Sequence, residues 1–268
     1  MTSALHKRTL STGYVDAWFC FTSDPRLTSA QQQYEAMLSP TELQQYQQLK
    51  HADNGWDYLV SRALLRTVLA EYCELAPEEL EFQVNDFGKP ELSNSSLASV
   101  IQFNTAHTSG LTVCVVTRDH AIGVDAECRA ENPGILNVAD DYFSSLELQA
   151  LKSRAESEQL DYFYRYWTLK EAYIKARGEG LSVPLHDFSV VLGDDGEFVE
   201  FVGPQAESWD FRILCQNSAY TAALSMNAQI IGLNYFNSVP LGPQSEHTAA
   251  DAFNNLSVVD SARRNRIG

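Results

Sequence analysis

The order of apolar and polar residues along the chain alternates between helix-like and strand-like periods. Apolar residues that recur every three or four positions predict a helix over 56–74, with one face formed by Leu59, Ala63, Leu64, Val68 and Leu69. Runs rich in β-branched and aromatic residues predict strands at 14–21, 111–117, 188–192, 197–201, 210–214 and 220–226. This mixture of periods predicts an α/β fold.

Capping signals define the ends of three further helices. Ser39-Pro40-Thr41-Glu42 and Ser144-Ser145-Leu146-Glu147 both have the form of a capping box. They predict helices that run to about residues 50 and 151. A third helix is predicted over 161–176, because Gly178 and Gly180 follow it and glycine commonly ends a helix.

The chain also contains a faint internal repeat with an offset of 109 residues. The offset places the helical segment 61–66 over 170–175, and the strand-like segment 109–125 over 218–234. Two similar α/β halves, each small for a domain on its own, would produce such a pattern. We predict one half at 1–119, the second at 120–239, and a disordered tail at 240–268, which is polar and lacks periodicity.

Charge and composition exclude several classes of protein. A net charge of −16 over 268 residues argues against a nucleic-acid-binding protein, which needs a basic face. No apolar run reaches the roughly 18 residues that span a membrane, and the first ten residues lack a signal-peptide core. The five scattered cysteines favour free thiols in a reducing compartment. We therefore expect a cytoplasmic protein with no membrane partner.

Two acidic clusters are the strongest chemical signal in the sequence. Asp125 and Glu127 follow the apolar run 121–124, so on a strand both carboxylates would share one face. Glu171 and Lys175 are four residues apart and would share one face of a helix. Taken singly, these pairs are typical of solvated turns and helix surfaces. Taken together, three carboxylates near one lysine would suit Mg²⁺, which takes oxygen ligands and shares them with substrate phosphates.

Several motifs in this chain jointly resemble one known family. Residues 123–127 (GVDAE) match G-V/I-D-x-E, and residues 167–175 (WTLKEAYIK) match W/F-S/T-x-K-E-A/S-x-x-K. Residues 178–190 are similar to the family's G-x-G-L-S-x-P-L and F-S-V segment, while Gly88-Lys89-Pro90 and the F-N-x-x-H element at 103–107 match two upstream motifs. The combination resembles the 4′-phosphopantetheinyl transferases of the larger, surfactin-synthetase-activating type.

The resemblance implies a fold, a reaction and a set of site residues. The fold would consist of two similar α/β halves with the active site between them. A serine of an acyl or peptidyl carrier protein would attack the pyrophosphate of coenzyme A, accept the phosphopantetheine arm and release 3′,5′-ADP. Asp125, Glu127 and Glu171 would bind Mg²⁺, with Glu171 as general base and Lys175 beside the leaving phosphate.

The resemblance also implies how the 3′-phosphate of coenzyme A is held. Lys89 and His107 occupy the matching family positions. Arg62 and Arg66 lie on the helix that the repeat pairs with the helix at 161–176, and we predict that both bind coenzyme A. Arg62 is the first candidate for a contact to phosphate or adenine, because guanidinium suits bidentate recognition of phosphate. A solvated helix arginine is the alternative. The chain departs from the family at Ala106, where a serine is expected, and at Glu42 and Gln45, where relatives often carry lysines.

Partner binding and assembly complete the expectations. Because one chain would supply both halves of the site, we expect a monomer. We expect the carrier to dock on the segment 132–158 through the apolar Tyr142, Phe143, Leu146 and Leu148 and the cationic Lys152 and Arg154, with Phe143 and Leu151 the first candidates for the core. Whether the carrier belongs to a fatty-acid, polyketide or peptide synthase stays open. So do two alternative functions, a non-catalytic carrier-binding module and a Mg²⁺-dependent phosphohydrolase.

Overall fold

A computed structural model describes residues 8–52, 54–129, 133–242 and 244–247. Its α-helices are α1 Pro25–Thr28, α2 Gln31–Met37, α3 Pro40–Leu49, α4 Gly55–Cys73, α5 Ala139–Tyr142, α6 Ser145–Ser153 and α7 Glu156–Arg177. Its strands are β1 Tyr14–Phe21, β2 Phe82–Val84, β3 Pro90–Leu92, β4 Ile101–Thr108, β5 Leu111–Arg118, β6 Ile122–Cys128, β7 Ser189–Leu192, β8 Phe198–Val202, β9 Asp210–Gln216, β10 Tyr220–Met226, β11 Gly232–Ser238 and β12 Gln244–His247.

Two sheets form the centre of the fold and pack against each other. The larger has the order β12-β11-β1-β5-β4 and the smaller β6-β10-β9, while β2-β3 and β7-β8 are separate hairpins. Every second residue of β1 and β5 packs against every second residue of β6 and β10, and together they form one hydrophobic core cluster. The other face of the large sheet is covered by α4, and the other face of the small sheet by α7. The predicted α/β class, with two similar halves, is confirmed.

One strand of the second half joins the sheet of the first. The repeat offset places β5 and β6 over β10 and β11, but β5 is not hydrogen-bonded to β6, nor β10 to β11. Instead β6 pairs with β10 within the second half, and β11 runs parallel to β1 of the first half. The offset in the sequence therefore corresponds to equivalent elements, while the pairing of β11 with β1 joins the halves.

The structure differs from the pattern-based expectations at several places, and three of them are the start of α7, the strand β4 and the C-terminal segment. Helix α7 begins at Glu156 rather than near residue 161, since the polar helix-forming residues before Asp161 extend it. The strand β4 was not predicted, because its burial does not follow a simple alternation.

The third difference concerns the predicted tail. Within 240–268, residues Gln244–His247 form β12 and pair with β11, so the prediction of disorder was wrong there. The segment 248–268 lies outside the described residues. Among the helices described, none is long and apolar enough to cross a membrane.

Candidate active site

A close approach between α7 and β6 forms the centre of the site. A Cβ atom on Gly123 would lie 2.1 Å from the Ala172 carbonyl oxygen and 2.3 Å from the Ala176 amide nitrogen. Only glycine therefore allows the helix to lie this near the strand. The same contact brings the α7 residues Glu171 and Lys175 opposite the β6 residue Asp125.

Asp125 and Glu127 both point toward α7, as the period of the strand predicted. Their neighbours Val124 and Ala126 point the other way, into the core between the sheets. Asp125 is 5% exposed, and its Oδ1 accepts a hydrogen bond of 2.7 Å from Lys175 Nζ. Its Oδ2 is buried and has no donor among the described residues.

Glu127 accepts a hydrogen bond from a tryptophan of α7. Trp167 Nε1 donates to Glu127 Oε1 at 3.1 Å. Burial of the carboxyl group, together with the negative charge of Asp125, raises the pKa of Glu127 to about 7 in spite of the Trp167 hydrogen bond. The motif at 167–175 includes Trp167, but nothing in a linear sequence shows which carboxylate its indole would meet.

Glu171 shares this crowded environment. Burial and the charge of Asp125 raise its pKa, and Lys175 opposes the shift. The charged form of Glu171 is therefore disfavoured, first by its removal from water and then by the neighbouring Asp125.

The fit of a metal ion can be tested on these atoms. In the part of the chain that the structure describes, no three His, Cys, Asp or Glu side chains are grouped closely enough to hold a metal ion. Lys175 instead neutralises one carboxylate. The unpartnered Asp125 Oδ2 nevertheless leaves one buried carboxylate oxygen open to a cation. The three carboxylates are oxygen donors of the kind that Mg²⁺ prefers, so their chemistry suits this cation, although the side chains are not drawn together around one point.

Lys170, next to Glu171 in the sequence, points away from the site. Its ammonium is buried and donates to both Glu147 oxygens, at 2.9 and 2.6 Å, and to the Phe188 carbonyl at 2.8 Å. Glu147 also accepts from the backbone N–H groups of Ser144 and Val190. This network ties α6 and β7 to α7, and so fixes the helix that carries Glu171.

A cavity of about 280 Å³ opens beside the carboxylates. Its lining combines the G-K-P turn, one strand of the large sheet and the end of α7, and consists of Phe87, Gly88, Lys89, Pro90, Asn104, Thr105, Glu171, Ile174, Lys175, Gly178 and Gly180. The structure therefore brings Lys89 to the same cavity as Glu171 and Lys175, although Lys89 precedes them by more than 80 residues.

The Lys89 ammonium uses two of its hydrogen bonds within the protein. Its Nζ donates to the carbonyl oxygens of Ile122, at 3.1 Å, and Ala176, at 2.9 Å. Burial lowers its pKa to about 8. Asn85 orders this turn by accepting from the Phe87 and Lys89 amides and donating to the Gly178 carbonyl. An ammonium has three donors, so one remains for a ligand.

His107 on β4 and Arg62 on α4 both lie near Thr105. Arg62 Nη2 donates to Thr105 Oγ1 at 3.3 Å, and Thr105 lines the cavity. The Arg62 Nε atom is buried without an acceptor in the described part of the chain. Partial desolvation lowers the pKa of His107 although the residue is exposed at the surface, and the charges of Arg62 and Lys175 add to the effect while Asp57 opposes it.

Arg66 is not brought to the cavity. It is 1% exposed, pairs with Glu42 at 2.6 Å and donates to the carbonyls of Pro77 and Leu80. Its guanidinium joins α3, α4 and the segment 77–80, which corrects the prediction that it contacts the coenzyme. The same pair explains why an acid stands at position 42, since Glu42 balances this buried charge.

A substitution at Gly123 is expected to separate α7 from β6. Gly123→Ala should lower the free energy of unfolding by about 3 kcal/mol, because the new methyl group meets backbone atoms that cannot move aside. Urea unfolding measures this. Gly193→Ala is the matched control, since its Cβ would meet mainly the flexible tip of Asp195. Equal stability of the two variants would contradict the close approach.

Comparison with known proteins agrees with the geometry. The family model described as the 4′-phosphopantetheinyl transferase superfamily matches residues 121–225, and the model described as 4′-phosphopantetheinyl transferase, N-terminal, matches residues 26–119. A 4′-phosphopantetheinyl transferase of Bacillus subtilis is 34% identical over 161 residues, which are 60% of this chain and 69% of the relative. The transferase Sfp of Bacillus subtilis strain 168 is 31% identical over 166 residues, covering 62% and 71%.

Similar proteins occur beyond Bacillus. The transferase HetI of Nostoc is 30% identical over 161 residues, 60% of this chain and 68% of the relative. Among solved structures, a holo-(acyl-carrier-protein) synthase from Bacillus anthracis in complex with coenzyme A (3′,5′-ADP) is 20% identical, with a TM-score of 0.35, and covers 40% of this chain and 93% of that one. On the family models and the sequence relatives, the chain belongs to the 4′-phosphopantetheinyl transferase superfamily.

Proposed function

We propose that this protein transfers the 4′-phosphopantetheine group from coenzyme A to a serine of an acyl or peptidyl carrier protein. The observation that carries the proposal is the arrangement of the strand carboxylates Asp125 and Glu127 opposite Glu171 and Lys175 beside one cavity. Phosphoryl-type transfer needs neutralisation of charge on the pyrophosphate and an acceptor for the serine proton. These four residues can supply both.

Each residue then has a chemical role. Asp125, Glu127 and Glu171 would hold Mg²⁺, which when bound neutralises charge on the pyrophosphate oxygens. Glu171 is the proposed general base, and its raised pKa lies closer to neutrality, where a base is most effective. Lys175 would place positive charge beside the leaving phosphate. Lys170 has a structural role, because its ammonium is enclosed by Glu147 and Phe188.

The 3′-phosphate of coenzyme A would be held on the first half of the chain. We assign this role to Arg62 and His107, with the remaining donor of Lys89. The two family models meet at residues 119 and 121, which supports a division of the chain near 119/120 into a coenzyme-binding half and a catalytic half.

Mass spectrometry of an apo carrier protein tests the function. After incubation with coenzyme A, Mg²⁺ and this chain, the carrier should gain the mass of phosphopantetheine. Free phosphopantetheine without carrier modification would indicate a phosphohydrolase. Carrier binding without any chemistry would indicate a non-catalytic binding module.

Magnesium is expected to stabilise the protein more at about pH 8 than at about pH 6. Since the pKa of Glu127 is raised to about 7, the folded metal-free protein holds a proton that the unfolded chain releases, so its stability falls as pH rises from about 4.5 to 7. Bound Mg²⁺ removes that loss, because it takes the place of the proton. Thermal unfolding with and without Mg²⁺ measures the effect. Glu127→Gln should flatten the pH dependence, and an equal Mg²⁺ effect at both pH values would contradict the assignment.

We place the carrier-docking surface on α5, α6 and their connection. Tyr142 and Leu146 are 42% and 46% exposed, whereas Phe143 and Leu151 are buried, as expected. The Tyr142 ring packs edge-on against Trp167, which bonds Glu127, so the surface adjoins the carboxylates. Of the predicted segment, residue 132 lies outside the described residues.

The predicted cations of this surface differ in their surroundings. Lys152 is exposed and pairs with Asp140. The Arg154 guanidinium stacks on the Tyr162 ring and donates a hydrogen bond to the Gly193 carbonyl oxygen. A substitution of Arg154 would therefore also affect packing.

Truncation of the apolar docking residues should weaken carrier binding alone. Tyr142→Ala with Leu146→Ala should raise KM for the carrier roughly thirtyfold, at about 1 kcal/mol per contact residue, and leave KM for coenzyme A unchanged. Lys152→Glu should act in the same direction. Steady-state kinetics measure both constants, with the exposed Val199→Ala on β8 as control. A change in KM for coenzyme A alone would place carrier docking elsewhere.

The remaining proposals concern assembly and location. We propose a monomer, because one chain supplies both the cavity and the carboxylates, and we propose a cytoplasmic location. Light scattering together with activity that does not fall on dilution would test the first.

A further inference from the structure

The strand that carries Asp125 and Glu127 is supported differently along its two edges. Among the described strands, β6 is hydrogen-bonded through its backbone to β10 alone. Its other edge lies beside β4, where two side chains replace the backbone ladder. Asn104 Oδ1 accepts from the Val124 amide at 2.9 Å, and Thr108 Oγ1 accepts from the Cys128 amide at 3.0 Å.

The hydrogen bond from the Val124 amide determines which way the side-chain amide of Asn104 faces. A backbone N–H can only donate, so Asn104 must present its oxygen, not its nitrogen, to Val124. The NH₂ group then has no acceptor in the described part of the chain. Asn104 is only 6% exposed and lines the cavity together with Glu171 and Lys175. The NH₂ group is therefore the part of this nearly buried side chain that faces the open cavity, where a ligand can supply its acceptor.

We propose that Asn104 is a substrate-binding residue whose side-chain NH₂ donates a hydrogen bond to a phosphate oxygen of coenzyme A beside Lys175. Lys175 and Lys89 line the same cavity, so an anionic oxygen is the acceptor that this group of donors favours. The proposal rests on the proposed function and adds a neutral donor to its cations. The Asn104 side chain would thus support β6 through its oxygen and bind the ligand through its nitrogen. Thr108 lies outside the cavity lining and only supports β6.

The molecule itself suggests a pair of variants that separates the two roles. Thr108 shows that a threonine on β4 can accept from a β6 amide. Asn104→Thr should therefore keep the bond to Val124 and lose the NH₂ donors. Thr108→Val is the matched control, since it removes a strand bond and touches no cavity residue. Asn104→Asp also keeps an acceptor for Val124 and replaces the donor with a negative charge.

Calorimetric binding of coenzyme A and of 3′,5′-ADP, with thermal unfolding of each variant, tests the proposal. Asn104→Thr should weaken both ligands at least about tenfold, the loss typical of a hydrogen bond to a charged group. Asn104→Asp should weaken them further, and Thr108→Val should lower Tm while binding both ligands normally. Because 3′,5′-ADP keeps the 3′- and 5′-phosphates but lacks the phosphopantetheine portion, its weaker binding to Asn104→Thr, and the further loss with the negatively charged Asn104→Asp, assign the contact to one of these two phosphates.

Four results would overturn the inference. Normal binding of both ligands to Asn104→Thr would reduce Asn104 to strand support, and normal binding to Asn104→Asp would do so even if the threonine variant is unstable. Weaker coenzyme binding with unchanged 3′,5′-ADP binding would move the contact away from the 3′- and 5′-phosphates, to the phosphopantetheine portion that 3′,5′-ADP lacks. Wild-type protein that binds neither ligand would reject the proposed function as well, which distinguishes that failure from the others.

Discussion

Glu171→Gln is expected to lower the rate of phosphopantetheine transfer by about a thousandfold or more. The change removes the proposed general base and one carboxylate of the magnesium-binding set, and loss of a general base alone commonly costs 10²–10⁴-fold in rate. Asp125→Asn and Glu127→Gln should cause losses of similar size. Transfer to an apo carrier protein, followed by mass spectrometry, measures all three.

The fold should survive these changes, which unfolding measurements can verify. Glu171→Gln should slightly stabilise the metal-free protein, because it removes a desolvated charge that Asp125 repels. Asp125→Ala should not, because Asp125 is the ion-pair partner of Lys175. Glu179→Gln is the control, since Glu179 pairs with Arg177 beyond the carboxylates. Near-normal turnover in any of the three variants would remove that residue from the site.

Lys170→Met is expected to lower the free energy of unfolding by about 3–5 kcal/mol, the usual cost of leaving one partner of a buried ion pair without the other. Lys170 and Glu147 are 1% and 0% exposed at their side chains, so water cannot replace the lost ammonium. Urea unfolding measures the change. Activity should fall with it, because the network fixes the helix that carries Glu171.

Two comparisons make this prediction specific. Lys152→Met breaks a lysine pair on the neighbouring α6, but Lys152 and Asp140 are 65% and 60% exposed, so the cost should stay below about 1 kcal/mol. Lys170→Met combined with Glu147→Gln should recover part of the loss, because a neutral amide oxygen can still accept from Ser144 and Val190. Equal costs for the two lysines would show that the buried pair has no special role.

The sequence by itself determined the local geometry of the site. A period of two places Asp125 and Glu127 on one face of β6, and a period near 3.6 places Glu171 and Lys175 on one face of α7. The capping boxes at Ser39 and Ser144 form as the sequence predicts. These features depend on residues a few positions apart, so pattern alone can show them. The motifs also identified the family, because their combination is specific even where each motif is weak.

Only the tertiary structure decided which charges serve the site and which serve the fold. Lys170 is adjacent to Glu171 yet meets Glu147, Arg66 is one turn from Arg62 yet meets Glu42, and Lys89 joins the cavity from a distant hairpin. The need for glycine at position 123 appears only when α7 lies against β6. Such roles depend on partners and burial that distant segments supply. A charged side chain has no fixed role in a linear sequence, because its energy depends on the groups that fold around it.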